Sequence, residues 1–111
     1  MTFPAELDAV VAAPANHRLA FESEAVRVLE TRVEPGQTVP IHTHRWGGVL
    51  YVLSWSDFIR RDAAGDVVLD SRSAGFALSP GDAVASSPLE AHTLENVGDR
   101  PLHVIAFELK L

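Results

Sequence analysis

Cysteine is absent from the 111 residues. That excludes disulfides, thiolate nucleophiles and cysteine-based zinc frameworks, so any metal must be held through nitrogen or oxygen. A cluster of basic residues is missing too: 9 Lys and Arg stand against 15 Asp and Glu, for a formal net charge of −6. Binding a phosphate backbone depends on neutralising many phosphates together, so nucleic acid is not an expected partner. No apolar run reaches membrane-spanning length. The N-terminal residues place Glu6 and Asp8 ahead of a short Ala/Val stretch, without the basic start of a secretory leader. A soluble, cytoplasmic protein with no membrane partner is therefore expected. The length suits one compact core and leaves no room for a second domain.

What is present is a succession of short β-rich runs punctuated by Gly, Pro and Asp. Runs at 26–33, 49–53, 58–61, 67–69, 75–78, 83–85, 92–97 and 102–109 alternate with turn signals at a spacing typical of an all-β sandwich or barrel. Residues 58–61 and 67–69 flank Ala63-Ala64-Gly65-Asp66 and are expected to form a hairpin. Only residues 6–13 have helix-compatible composition, enough for one or two turns. The expected organisation is an N-terminal arm, irregular or partly helical, over residues 1–24, followed by a single barrel domain over residues 25–111.

Histidine carries the chemical signal. His42 and His44 are two apart, and side chains alternate faces along a strand, so both imidazoles point the same way if the segment is extended. Imidazole is the commonest biological ligand for transition metals, and a catalytic site usually takes three protein ligands while leaving positions open. His92 is the best third candidate, because it opens a later strand after the Pro-containing loop 86–91. An isolated His-x-His pair more often binds nothing; the wider context changes that balance.

Gly36 is followed by five residues and then His42-Thr43-His44, and Gly81 is followed by His92 eleven places on and Asn96 four later. These segments resemble, in order, the two motifs of the cupin superfamily, and the chain is similar to a small single-domain bacterial-type cupin. The resemblance implies an all-β double-stranded β-helix, or jelly-roll barrel, with a divalent transition metal (iron, nickel, manganese or zinc) held by His42, His44 and His92. The departures are specific. Gly48, or Val49 on the longer spacing, stands where the family places its glutamate ligand, Trp55 replaces the closing glycine, and Pro88 is displaced by one. An ion held by three neutral imidazoles keeps its full +2 charge and should favour anionic oxygen ligands that bind through two atoms. Three-histidine sites of this type occur in cupin-like dioxygenases.

Trp46, Leu50 and Val52 share the parity of the two histidines and, with Gly48, are candidates for the pocket wall, although packing is the simpler role for Leu50 and Val52. His103 joins them if Gly98-Asp99 forms a two-residue hairpin that sets it opposite Leu94, although a plain strand histidine is the simpler role. His17, in the arm, is expected to lie outside the site, and Glu95 opposes His92 in parity. The functional expectation is a metal-dependent, dioxygenase-like protein acting on a small anionic molecule, with a non-catalytic binding or structural barrel as the alternative. A homodimer is expected from the small size and the 47% hydrophobic content.

Overall fold

The computed structural model describes all residues, Met1–Leu111. A single 3-10 turn (Ala5–Leu7) and a short helix α1 (Ala9–Ala12) precede nine strands: β1 (His17–Glu22), β2 (Val26–Val33), β3 (Thr38–His44), β4 (Gly48–Ser54), β5 (Phe58–Asp62), β6 (Val67–Asp70), β7 (Ala83–Ser86), β8 (Leu89–Asn96) and β9 (Leu102–Leu109). They form two sheets, ordered β1-β2-β9-β4-β7 and β3-β8-β5-β6. All strand pairs are antiparallel. No helix is long and apolar enough to cross a membrane.

The expected hairpin is present as β5–β6. The expected strand at 75–78 is not: this stretch is irregular, and it inserts Phe76 against Trp55 with ring centroids 5.5 Å apart. The N-terminal arm is not separate from the barrel. Six of its residues, His17–Glu22, are β1, paired with β2, and α1 is packed inward with Ala9 and Ala13 fully buried. Strand β1 escaped notice because its turn contains neither Gly nor Pro. Ser23 closes it instead, its Oγ accepting from the amides of Ala25 and Val26 at 3.2 Å each.

The two motif-opening glycines, Gly36 and Gly81, have φ of +79° and +93°, which L side chains rarely adopt. Asn96 is an organiser of the chain. Fully buried, it donates to the carbonyls of Val33 (2.9 Å) and Arg100 (2.8 Å) and accepts from Ser56 Oγ (2.7 Å) and the Gly98 amide (3.0 Å). It therefore shapes the 97–101 turn, across which the chain leaves one sheet for the other. For that reason β8 and β9 do not form the expected hairpin.

Apolar side chains fill one region of the interior, where Ala13, Val33, Val39, Phe58 and Leu102 pack with Trp55, Leu69, Leu94 and Val104. A smaller cluster of Ala9, Leu29 and Ala106 lies beneath α1. On the opposite face of the five-stranded sheet, half-buried Val28 and exposed Phe107 and Val49 stand side by side in register, and Phe21, Tyr51 and Leu109 are exposed too.

Gly48 explains the missing glutamate in steric terms. It is paired with Glu108 of β9, and a Cβ built on it would collide with the Phe107 carbonyl oxygen. No side chain fits there without separating β4 from β9. Gly48→Ala is expected to cost about 1–3 kcal/mol in chemical denaturation, the range for overpacking a tight site; a stability equal to the native protein would contradict this close approach.

Candidate metal centre

The local backbone positions the histidines by the same device on two neighbouring strands. Pro40 has no amide to give the β3–β8 ladder, and the register slips between Val39 and His42. The freed Pro40 carbonyl lies 2.7 Å from His42 Nδ1. On β8, which slips next to His92, the Glu90 carbonyl lies 2.6 Å from His92 Nδ1. His42 and His92 are directly paired across the two strands, and their ring centroids are 4.3 Å apart. His44, two residues on, presents its ring 5.0 Å from His42 and 5.8 Å from His92.

A fourth imidazole comes from the other sheet. His17, expected outside the site, is 4% exposed and has its ring centroid 4.7 Å from His42 and 5.2 Å from His44. One ring nitrogen from each of His17, His42 and His44 lies within 4.8 Å of the others. The Nδ1 of His17 is 3.0 Å from the Ala13 carbonyl, at the end of α1. Sequence spacing held no signal for this residue; recognising β1 as a strand folded back along β2 would have been needed to place it.

Hydrogen bonding fixes what these rings can offer. A carbonyl only accepts, so Nδ1 of His17, His42 and His92 must carry the proton, and in a neutral ring Nε2 is then left with its lone pair. Burial, reinforced by the neighbouring imidazoles, lowers the pKa of His17 and His92 to about 3 and of His42 to about 4. All three are neutral near pH 7, the form that binds a metal. The donor set therefore fits a nitrogen-preferring transition ion.

His44 is oriented by a carboxylate. Its Nδ1 lies 2.9 Å from Glu108 Oε2, while Glu108 Oε1 accepts from Arg27 Nε at 2.8 Å. Arg27 in turn donates to both carboxylate oxygens of Asp8, at 2.8 and 3.0 Å. Burial works against the charges on Arg27 and Asp8, but their mutual pairing outweighs it, raising the arginine pKa and lowering that of Asp8. Glu108, only 3% exposed, thus has both oxygens engaged. It supports a ligand from behind, as carboxylates commonly do around metal-bound histidine. Gly48, opposite Glu108, marks where the sequence lost one carboxylate, but nothing in the sequence pointed to the one on β9.

These groups open onto a cavity of about 320 Å³, at the small end of ligand-binding cavities. Of the expected wall residues, Trp46 and Leu50 line it. Val52 does not: it is inward and 1% exposed, sealed off by packing. Gly48 does not line it either, being pressed against β9. His103 is also elsewhere. Since β9 lies in the other sheet, His103 pairs with Arg32 and Ser54 rather than Leu94, and its Nε2 lies 2.7 Å from Glu30. Trp46 is surrounded by cations, with Arg27, Lys110 and Arg45 at 5.1, 5.3 and 5.6 Å from its ring centre.

No protein-family model matches the sequence, and no curated protein matches it. Solved structures do. A cupin domain from Bordetella pertussis Tohama I is 20% identical, with a TM-score of 0.69 over 100% of this chain and 99% of that one. An RmlC-like cupin family protein from Methanocaldococcus jannaschii is 11% identical, with a TM-score of 0.57 over 84% of this chain and 77% of that one. The polyketide cyclase RemF from Streptomyces resistomycificus is 18% identical, with a TM-score of 0.52 over 84% of this chain and 63% of that one. The chain thus has the double-stranded β-helix fold of these cupin structures, with a histidine cluster inside that could hold a metal ion.

Proposed function

We propose that the protein is a mononuclear metal protein in which His42, His44 and His92, joined by His17, hold a divalent transition ion, and that it acts on a small anionic molecule admitted to the cavity. The observation that carries this reading is the shared arrangement of the rings. All four have Nδ1 against an oxygen acceptor, which would leave Nε2 to face a metal ion. Such an ion would supply Lewis acidity undiminished by any carboxylate ligand, since Glu108 is fully engaged. In a six-coordinate ion, four imidazoles leave two positions, matching a ligand that binds through two atoms. The cavity walls offer no unengaged carboxylate to act as a general base, which favours chemistry centred on the ion over acid-base hydrolysis. Dioxygenase-like turnover fits these features. A holding or sensing role is the second reading, favoured by the fourth imidazole, because fully occupied protein ligation is typical of non-catalytic sites.

Elemental analysis of the purified protein should find about one transition metal per chain. Alanine at His17, His42 or His92 should lower metal affinity by at least about ten-fold, while His103→Ala leaves it unchanged. Metal loss in the His103 variant, or full retention in all of the others, would contradict the site.

The lowered histidine pKa values set a pH dependence with a definite sign. In the unfolded chain these rings titrate near 6.5. From that value down to about 4 the unfolded state holds more protons than the folded one, so acid destabilises the metal-free protein, by up to about 1.4 kcal/mol per pH unit for each histidine. Urea midpoints of chelator-treated protein should fall steadily over that interval. A flat profile would show that the rings are not buried neutral.

Self-association through the outer face of the five-stranded sheet is part of the same proposal. Val28, Phe107 and Val49 form an uninterrupted apolar row there, and exposed patches of this type mark interaction surfaces. A second copy offers the same row to this one, a self-complementary contact about a twofold axis. Sedimentation should give twice the 12.0 kDa chain mass. Phe107→Glu should give the single mass; a native protein that sediments only at 12.0 kDa refutes the dimer.

A further inference from the structure

Two arginines reach the barrel interior, and only one is answered. Arg27 is bracketed by Asp8 and Glu108. Arg60, on β5, stands opposite Leu94 of β8 and Leu69 of β6, and all three line the cavity. Its Nε is buried with no hydrogen-bond partner, and its guanidinium carbon lies 5.9 Å from the centre of the Phe58 ring. Burial is the only influence acting on its charge, with no carboxylate near enough to offset it. Arg60 as a whole is half-buried, and a cation partly withdrawn from water without a partner is costly, so proteins seldom keep one that nothing uses.

The charge balance of the cavity makes the consequence specific. Arg60 and Glu108 are the only Lys, Arg, Asp or Glu residues lining the cavity, and Glu108 has both oxygens committed. Arg60 is thus the cation on the cavity wall with no carboxylate against it. Arg60 lies close enough to the histidine cluster for its field to act on both His42 and His92. The walls beside it, Phe58, Leu69, Leu94 and Leu102, are apolar.

We propose that Arg60 binds the carboxylate of a small carboxylic acid with an apolar body, lodged in the barrel between this guanidinium and the histidine cluster. A guanidinium presents paired N–H donors that match the two oxygens of a planar carboxylate. Phosphate would bring further oxygens into apolar surroundings that cannot bond them. The inference rests on the reading of the cavity as a ligand site and names its ligand class, but it does not depend on the metal.

The test is titration calorimetry with benzoate, with benzamide as a neutral probe of the same shape, on both zinc-loaded and chelator-treated protein. The native protein should bind benzoate more tightly than benzamide. Arg60→Met should weaken benzoate at least about ten-fold, with Arg60→Lys between the two, and should leave benzamide unchanged. The methionine variant should also keep its metal content and show a thermal midpoint at or above that of the native protein, because it removes an uncompensated charge while preserving much of the side-chain volume. A merely structural arginine would lower that midpoint. Benzoate binding that is no tighter than benzamide, or unaffected by Arg60→Met, overturns the inference even if metal content is normal. Charge-selective binding that persists in a protein unable to retain metal upholds Arg60 and removes the metal reading instead.

Discussion

The metal chemistry proposed for this barrel depends on four imidazoles, each with Nδ1 tied to an oxygen. Three of those oxygens are backbone carbonyls, of Ala13, Pro40 and Glu90, and the fourth belongs to Glu108. Burial alone would only discourage protonation. The acceptor behind each ring also selects the tautomer and restrains ring rotation, so Nε2 is the free lone pair. The cost is borne by the backbone: the β3–β8 ladder is interrupted at Pro40 and again beside His92, where regular pairing would have used those carbonyls.

Charge is the second constraint. Asp8, Arg27, Glu108 and His44 form one connected series from the N-terminal turn to the cavity. It links α1, β2, β9 and β3, so the stretch before the barrel takes part in setting the geometry of His44. The same series occupies the one carboxylate that lines the cavity. In this arrangement a glutamate supports the site from behind, and the position at which cupins usually place a ligand glutamate is closed by the contact between Gly48 and β9. Arg60 lacks any such neutralisation, and the contrast with Arg27 is what marks it as a residue with an outside partner.

Much of this was legible in the sequence. Period-two alternation and Gly/Pro punctuation revealed the β-barrel, and the spacing of Gly36, His42, His44, Gly81, His92 and Asn96 revealed which fold. What stayed hidden depends on contacts between sheets. His17 reaches the cluster only because β1 folds back on β2 through a serine-closed turn without Gly or Pro. Glu108 and Arg60 lie on strands whose sequences have no motif, and their significance comes from partners 64 residues distant in one case and from the lack of any partner in the other. His103 lies away from the cavity for the converse reason: the local hairpin signal at Gly98-Asp99 is overridden by Asn96, which turns the chain toward the other sheet.

X-ray absorption at the edge of the bound metal examines the four-imidazole centre most directly. The account predicts a first shell of nitrogen or oxygen at about 2.0–2.2 Å with no sulfur, and strong outer-shell scattering from imidazole that weakens in His17→Ala and again in His92→Ala. A spectrum without imidazole scattering, or one unchanged by both substitutions, would contradict it.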